Sequence, residues 1–379
     1  MLEIASPESM KLDVGRWCNA LDLAQRWCDE DKLPSIGLLV ARDGKTTGPH
    51  LFGRQSLNAD SVPIRDDAIF LIASITKPIV AMGALLLVER GEISLGDRVT
   101  EFIPEFGNNG KNGITLRHLM THTSGLPDML VDNKELRAAQ APLSRFAEET
   151  CTVKTSFPPG RGVQYQSMGF AILGEVIARV SGKRTAEFLR DEFFDPLGMC
   201  DTALGVPDEW YEGPQPKVER IAEIRLPPNQ HDADEWNWNS RYWRGLGAPW
   251  GGLLTTPTNL ARFTQMIMNH GGSGEKQILA RTTVEGAIRN QLDQMRDVPE
   301  VDRRCRPWGF GWRLHWSAHS ANFGDFLGPR TFGHWGATGT VLWADPDLDA
   351  FAIIFTTLPQ EPQGRYLARL SNAIAASFQ

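Results

Sequence analysis

The pattern of apolar positions predicts strands near both ends of the chain and helices between them. Leu12 to Asp31 carries apolar residues at helical spacing and predicts an N-terminal helix. Two short apolar segments, Ile36 to Arg42 and His50 to Arg54, flank the turn-forming pair Asp43-Gly44 and predict paired strands. Strand-like patterns return near the C-terminus in Trp308–Trp316, Thr340–Trp343 and Phe351–Thr357, and Arg365–Phe378 predicts a closing helix.

Helical patterns dominate from Gly91 to about Asn290. The clearest are Leu116–Thr121, Leu143–Glu149, Met168–Val180, Ala186–Phe194 and Pro257–Asn269. Pro207 to Pro228 holds five prolines and many charges, which predicts a long loop. Strands at both ends with helices between them indicate one sheet built from both termini with a helical region inserted, an α/β (α+β) fold class.

One apolar segment carries candidate chemistry. The 21 residues from Ala68 to Val88 contain a single charge, Lys77. A run of this length could span a membrane, but a charge at its centre costs about 2.5–3.5 kcal/mol. We interpret it as a buried strand end or loop joined to a core helix. The helix should begin close to Ser74, because Pro78 is best tolerated near a helix start.

Ser74 and Lys77 form a candidate catalytic pair. A lysine in apolar surroundings tends to have a lowered pKa. A serine three residues earlier lies on the same helix face, so the amine can activate its hydroxyl without a histidine. A second Ser-x-x-Lys, Ser273 to Lys276, lies in a glycine-rich polar segment and predicts a solvated turn. The surroundings, and not the spacing, favour Ser74.

Composition limits the binding partners and the cellular locations to be expected. The chain is 41% apolar and 22% charged, with a net charge of −7 and scattered basic residues, which argues against nucleic acid as a partner. Met1 to Met10 has neither a basic region nor an apolar core, so a secretory signal is not expected. An odd number of cysteines indicates reduced thiols and a cytoplasmic location, and we interpret them as core thiols: Cys18, Cys28, Cys151, Cys200 and Cys305.

Three further motifs accompany Ser74 to Lys77. They are Thr121-His122-Thr123-Ser124-Gly125-Leu126, Tyr165-Gln166-Ser167 and Gly333-His334-Trp335-Gly336-Ala337-Thr338-Gly339. In this order and at these separations, the set resembles the serine β-lactamase-like hydrolases: class C β-lactamases, D,D-peptidases and family VIII carboxylesterases. The resemblance runs from about residue 30 to the end. It implies a single β-lactamase-like domain, with an antiparallel sheet in an α/β subdomain (about 1–75 and 291–379) and an all-α subdomain (about 76–290).

The resemblance also implies roles for individual residues. Ser74 would be the acylated nucleophile, and Lys77 would accept or relay its proton. Tyr165 would lie across the cleft and relay protons to the leaving group. The backbone N–H groups of Ser74 and Ala337 would form the oxyanion hole, which is worth several kcal/mol in the transition state. Whether Lys77 or Tyr165 is the general base stays open.

Two departures from the family pattern bear on the substrate. Ser167 stands where Asn is usual and offers fewer hydrogen-bonding groups than an amide. His334 replaces the usual lysine and is mostly neutral at pH 7, and Trp335 is bulky. We therefore expect a less anionic acyl compound. Four tryptophans and Tyr242 alternate with polar residues in 15 positions, which favours a loop or cleft rim: Trp236, Trp238, Trp243 and Trp250.

The predicted function is a carboxylesterase acting on small neutral or aromatic esters. The predicted substrate-binding residues are Ser167, His334, Trp335, Gly336, Trp243 and Trp250. A β-lactamase, D,D-peptidase or amidase is the alternative, and a catalytically silent ligand- or partner-binding relative is the remote one. The substrate is expected to be a small-molecule ester or amide.

No cofactor or metal is expected. His118 and His122, and likewise His315 and His319, have the i, i+4 spacing of helical metal ligands, but neither pair encloses the Glu of zinc proteases. The oligomeric state is not predicted.

Overall fold

The computed structural model describes residues 2–58, 60–314, 322–360 and 364–379. Thirteen strands lie in these parts of the chain: β1 (Glu3–Ile4), β2 (Ser35–Arg42), β3 (Lys45–Thr46), β4 (His50–Gly53), β5 (Phe70–Leu71), β6 (Ala203–Leu204), β7 (Leu253–Thr255), β8 (Gly272–Ser273), β9 (Lys276–Gln277), β10 (Arg313–Leu314), β11 (Phe332–Gly336), β12 (Thr340–Asp345) and β13 (Ala350–Thr356).

The same parts of the chain hold thirteen α-helices: α1 (Val14–Asp29), α2 (Thr76–Glu89), α3 (Val99–Phe102), α4 (Leu116–Met120), α5 (Asn133–Ala138), α6 (Leu143–Thr152), α7 (Met168–Ser181), α8 (Thr185–Leu189), α9 (Arg241–Leu246), α10 (Pro257–Met268), α11 (Arg281–Ala287), α12 (Glu300–Cys305) and α13 (Arg365–Ala375).

The main sheet is built from both chain ends, as the sequence predicts. Its strand order is β1-β3-β2-β13-β12-β11-β10, and β4 also pairs with β2. The N-terminal strand β2 pairs antiparallel with the C-terminal strand β13 over seven residue pairs, from Ile36 opposite Thr356 to Arg42 opposite Ala350. One pairing, β1 with β3, is parallel.

Both faces of the central strands are buried, which explains why β2 is an unbroken apolar run. Leu38 and Val40 pack toward α1 and α13 on one face. Leu39 and Ala41 pack toward the large core that contains α2 and α7 on the other. Because strand side chains alternate between faces, a strand covered on both sides needs apolar residues at every position.

The Ala68–Val88 segment forms β5, a short 3₁₀ turn over Ala73–Ile75 and the buried helix α2, in agreement with the interpretation from sequence. Twelve consecutive residues of α2, Thr76 to Leu87, are buried, as in a helix that passes through a core. Within the described ranges, none of the helices combines the length and the apolar character needed to cross a bilayer.

Helix α10 packs on β2 and β13 of the main sheet, although it comes from the part of the chain predicted to be the helical subdomain. A small sheet of order β5-β7-β6 also joins distant parts of the chain, pairing Phe70 with Thr255 and Ala203 with Leu254. The predicted subdomain boundaries near residues 75 and 290 stay a prediction.

Two local predictions are wrong. The segment 308–312 is a turn and not a strand: Trp308 forms a bridge with Arg313, and Gly311 has a φ of 74°. Residues 315 and 316 of that predicted strand lie outside the described residues. The cysteines are also not all in the core, because Cys18 and Cys200 are exposed while Cys28 and Cys151 are buried.

Candidate active site

Ser74 is held by a constrained turn between β5 and α2. The residue before it, Ala73, has a φ of 46°, in the left-handed region that L-residues rarely adopt. The Thr76 hydroxyl donates to the Ala73 carbonyl at 2.6 Å and accepts from the Leu253 N–H of β7 at 3.1 Å. Backbone strain of this kind persists where the surroundings fix it, and it clusters at functional sites.

Lys77 lies one turn along α2 and points back to the serine. Its Nζ donates to Ser74 Oγ at 3.0 Å and to the Trp250 carbonyl at 2.7 Å. The side chain is fully buried. Burial lowers the pKa of Lys77 to about 7, the nearby Asp128 carboxylate raises it in part, and Arg313 lowers it further. The predicted pair is therefore in contact, with an amine that is substantially neutral near pH 7.

Tyr165 lies across from this pair, as the resemblance implies. Its ring centroid is 4.8 Å from Lys77 Nζ. Burial raises the pKa of the Tyr165 phenol, while Arg313 and a hydrogen bond with Ser74 lower it. The phenol is thus protonated at neutral pH and can donate a proton. His122 stacks on the Tyr165 ring at 4.8 Å between centroids and contacts Trp308 in a tilted arrangement at 4.1 Å, so the Tyr165 ring packs against a buried aromatic cluster.

The end of β11 packs against the turn that carries Ser74. Thr338 and Thr340 donate to the carbonyls of Leu71 and Ile72, at 2.7 and 3.0 Å. A Cβ at Gly336 would lie 2.3 Å from the Ile72 carbonyl oxygen, so glycine is required for this approach. Ala337 follows directly and is exposed to the cleft.

Ser167 makes a contact that the sequence pattern does not reveal. Its hydroxyl donates to the Asp128 carboxylate at 2.6 Å. Ser167 itself is buried, with 2% of its surface exposed. Asp128 was not among the predicted site residues. The one sequence signal was its place two residues after the Thr121–Leu126 motif, which by itself points to no role.

Arg313 is the second site residue that sequence reasoning missed. Its guanidinium centre lies 3.8 Å from the Trp335 ring centroid, 4.6 Å from that of Trp308 and 5.2 Å from that of Tyr165. Burial lowers its pKa to about 10, which leaves it cationic at neutral pH. Its Nε is buried and has no hydrogen-bond partner among the described residues. Three aromatic faces thus hold a cation beside the catalytic tyrosine candidate.

These groups surround one cavity of about 370 Å³. Of the predicted site residues, it brings together Ser74, Tyr165, Ala337, Ser167, Trp243, Trp250 and Trp335, with Lys77 directly behind Ser74. Trp238 and the unpredicted Asp128, Arg137 and Arg313 line it as well. The tryptophan-rich segment therefore does contribute to the cleft, although Trp243 and Trp250 are themselves buried.

The predicted contact of His334 with substrate is wrong for its side chain. His334 is fully buried, its ring centroid lies 5.9 Å from that of Trp308 and 6.1 Å from that of Tyr165, and its Nδ1–H donates to the Trp335 carbonyl at 2.7 Å. Burial lowers the pKa of His334 well below its usual value, and Arg313 and Lys77 add to this. It is therefore a neutral residue that supports the strand. Gly336 likewise supports the strand end and is not among the residues that line the cavity.

The two histidines of the helical region, His118 and His122, accept hydrogen bonds from backbone N–H groups. His118 Nδ1 accepts from the Thr115 N–H at 3.1 Å, and His122 Nδ1 accepts from the Gln166 N–H at 3.0 Å. In the described ranges no group of three possible metal ligands occurs. His315 and His319 lie outside the described residues. The second Ser-x-x-Lys forms the β8–β9 hairpin, and its Lys276 is exposed, as predicted.

Comparison with known proteins identifies the family. The sequence model described as Beta-lactamase matches residues 22–376. Esterase EstB of Burkholderia gladioli is 30% identical over an alignment of 333 residues that covers 81% of this chain and 81% of that protein. A putative D-alanyl-D-alanine carboxypeptidase of Escherichia coli strain K12 is 24% identical over 396 residues, covering 96% of this chain and 87% of that protein. The chain belongs to the beta-lactamase family and is a serine hydrolase.

The fold is also that of solved structures. The structure described as that of a family VIII carboxylesterase superposes with a TM-score of 0.75 at 21% identity, covering 99% of this chain and 98% of that one. The predicted resemblance and the beta-lactamase-like fold are confirmed.

Proposed function

We propose that this serine hydrolase is a carboxylesterase that works through an acyl-enzyme on Ser74. The observation that carries the proposal is the 3.0 Å contact between the Ser74 hydroxyl and the buried Lys77 amine. The similarity to esterase EstB over four fifths of both chains supports an ester substrate.

The proposed reaction begins with Lys77 in its neutral form. The amine takes the proton of the Ser74 hydroxyl as the oxygen attacks the ester carbonyl. The N–H groups of Ser74 and Ala337 stabilise the negative charge of the tetrahedral intermediate. The intermediate collapses and the bond to the alcohol oxygen breaks. The Tyr165 phenol supplies the proton to the departing alcohol and receives in its place the proton that Lys77 took from Ser74, which restores both residues. Water then attacks the acyl-enzyme by the reverse sequence and releases the acid.

Cavity size and lining favour small aromatic esters. Trp238, Trp243, Trp250 and Trp335 line about 370 Å³, near the lower end of the usual range for small-molecule pockets. The Ser167 hydroxyl donates to Asp128 and so offers a substrate amide no free donor in this arrangement. Ser167 is therefore poorly suited to the side-chain amide contact implied for β-lactamases.

A D,D-peptidase or β-lactamase is the second candidate, and a specific observation favours it. Two arginines, Arg137 and Arg313, line the cavity, and cations there would attract a substrate carboxylate. The expectation of a less anionic compound follows from Ser167, His334 and Trp335, whereas Arg137 and Arg313 add positive charge to the same cavity.

The test has two parts. A fluorophosphonate probe should add one label, which peptide mass spectrometry should locate at Ser74. Ser74→Ala should abolish labelling, while Ser273→Ala, at the second Ser-x-x-Lys, should keep it. Nitrophenyl esters of graded chain length should then exceed a chromogenic cephalosporin in kcat/KM by about 10²-fold or more, or about 2.7 kcal/mol. A label at Ser273 would refute the assignment of Ser74 as the nucleophile. Equal kcat/KM values for the esters and the cephalosporin would favour a D,D-peptidase or β-lactamase.

A cytoplasmic location is a further part of the proposal. All five cysteines are free, as expected for a reducing compartment. Thiol titration of the protein isolated from its host under alkylating conditions should give five reactive thiols after denaturation. Recovery of a disulfide-bonded form from an oxidising compartment would overturn this placement.

A further inference from the structure

Arg137 is a buried cation that lines the cavity of Ser74 and plays no part in the proposed reaction. It lies on α5 with 6% of its surface exposed. Nη2 donates to the Trp236 carbonyl at 3.0 Å, and Nε is buried with no hydrogen-bond partner among the residues that the structure describes. In the described part of the chain, no carboxylate forms an ion pair with Arg137.

Two tryptophans hold the guanidinium in place. Its central carbon lies 4.1 Å from the Trp243 ring centroid and 5.0 Å from that of Trp236. Cation–π contacts of this kind offset part of the cost of burying a charge, but a buried charge is ordinarily paired as well. Burial lowers the pKa of Arg137 only to about 10, so it remains cationic at neutral pH. The site therefore holds a fixed cation that forms no ion pair with a carboxylate in the described ranges.

We propose that Arg137 binds a carboxylate at the far end of the acyl group, so that the preferred substrates are monoesters of dicarboxylic acids. The proposal rests on the proposed esterase function and names its substrate class. A guanidinium offers five N–H donors in a planar fork that matches a carboxylate, and only the Nη2 bond to Trp236 is formed in the described residues.

The placement of the two arginines assigns the carboxylate to the acyl side. Arg313 lies beside Tyr165, where the leaving alcohol would be protonated. Arg137 packs on Trp236 and Trp243, whereas Arg313 packs on Tyr165, Trp308 and Trp335, so the two arginines contact different rings around the same cavity. An ester seated on Ser74 with its alcohol at Tyr165 would extend its acyl chain toward the Trp243 wall and Arg137.

The experiment compares matched esters. 4-Nitrophenyl hemiadipate carries a terminal carboxylate on the acyl chain, and 4-nitrophenyl heptanoate replaces that group by ethyl. We expect the kcat/KM ratio of acidic to neutral ester, corrected for spontaneous hydrolysis, to exceed about 10 in the wild type. Arg137→Gln should reduce the ratio about 10- to 100-fold, as expected for loss of charge-assisted hydrogen bonds, with Arg137→Lys between the two.

Lys134→Gln is the matched control, because it removes an equal charge from an exposed position one turn earlier on the same helix. It should leave the ratio unchanged. An equal loss for both esters in the Arg137 variants would show a structural role and overturn the proposal. So would a ratio that does not respond to Arg137→Gln, or an Arg137-dependent preference for a carboxylate on the nitrophenol instead of the acyl chain.

A binding measurement separates this proposal from the proposed reaction. Monomethyl adipate should bind to Ser74→Ala more tightly than methyl heptanoate, as followed by tryptophan fluorescence, since Trp236 and Trp243 flank Arg137. The preference should be lost in Ser74→Ala with Arg137→Gln and should be intermediate in Ser74→Ala with Arg137→Lys. Selective binding without ester hydrolysis would refute only the esterase. Ester hydrolysis without selective binding would refute only the role of Arg137.

Discussion

The hydroxyl of Ser167 donates a 2.6 Å hydrogen bond to the carboxylate of Asp128. Ser167 stands where the family motif usually has an asparagine, and its partner Asp128 brings a negative charge into the cavity. That charge raises the pKa of Lys77, while Arg313 acts in the opposite direction. The serine at position 167 therefore changes two things: the protonation of Lys77, through Asp128, and the hydrogen-bonding groups that the cavity offers to a substrate.

Opposite shifts of the pH profile are expected from removing these two charges. If neutral Lys77 is the base, kcat/KM rises with pH through a pKa of about 7 in the wild type. Asp128→Asn removes an anion that favours the protonated amine, so the acidic limb should move to lower pH. Arg313→Met removes a cation and should move it to higher pH.

Steady-state kinetics from pH 5 to 9 with one neutral nitrophenyl ester would measure both shifts. Glu148→Gln, an exposed charge change on α6, should leave the limb in place. Shifts in the same direction for the two variants would mean that the limb reports a group other than Lys77.

Lys77 should also make stability depend on pH. Its pKa is about 7 in the folded protein and about 10.4 in an unfolded chain. Between these values the unfolded chain binds more protons, so the free energy of unfolding rises with pH in this window. Below about pH 7, Lys77 is protonated in both the folded and the unfolded chain, so this pH-dependent gain is absent. The folded protein is then destabilised by the buried charge of Lys77.

Urea unfolding of wild type and Lys77→Met at pH 7, 8 and 9 would test this linkage without using activity. The difference in free energy of unfolding should move in favour of the wild type by up to about 1.4 kcal/mol per pH unit. Lys276→Met, at an exposed hairpin lysine, should give a constant difference. A constant difference for Lys77→Met as well would show that its pKa is not lowered by folding.

The sequence was sufficient for the elements whose signals are local. Buried strands such as β2 and the core helix α2 follow from apolar patterning, and Ser74, Lys77 and Tyr165 follow from motifs with fixed spacing. Asp128, Arg137 and Arg313 could not be found in this way. Each is an isolated charged residue whose meaning depends on partners far away in sequence, such as Trp243 for Arg137 and Trp335 for Arg313.

His334 is the opposite case, a residue that a motif predicts to line the cleft but that the structure buries. Its position in a motif predicted a cleft residue, because the family pattern places a lysine there. Strand β11 buries the imidazole beside Trp308 and Tyr165, and among the described residues its ring hydrogen-bonds only the Trp335 carbonyl. A motif fixes where a residue lies along a strand, but the packing of neighbouring rings decides whether its side chain reaches the cavity.

Gly336→Ala should impair both activity and stability. The added Cβ would lie 2.3 Å from the Ile72 carbonyl oxygen and 2.4 Å from Thr340 Oγ1, so β11 must move away from the turn that carries Ser74. A loss of about 1–3 kcal/mol in stability is expected from overpacking. A displaced Ala337 N–H should lower kcat by about 10²-fold, as for loss of one oxyanion donor.

Gly286→Ala is the control for that change. Gly286 lies inside α11, and nothing lies within 4 Å of its added Cβ. This substitution should leave kcat unchanged and raise stability by about 0.4–1 kcal/mol, as observed for glycine replacements in compatible conformations. Full activity in Gly336→Ala would show that the position of the end of β11 does not matter for catalysis.

The last prediction distinguishes the roles of Lys77 and Tyr165. Lys77→Arg should be almost inactive in acylation, because a guanidinium does not release its proton in a protein and cannot accept one from Ser74. Tyr165→Phe should lose at least about 10²-fold in kcat, the low end for general acid–base catalysis.

If Tyr165 serves mainly as the acid for the leaving alcohol, the loss of activity in Tyr165→Phe should be smaller for nitrophenol, which departs without a proton, than for a simple alkyl alcohol. Comparing a nitrophenyl ester with an ethyl ester of the same acid in Tyr165→Phe measures that difference. Equal losses with both esters would instead place Tyr165 in the activation of Ser74 and make it the general base.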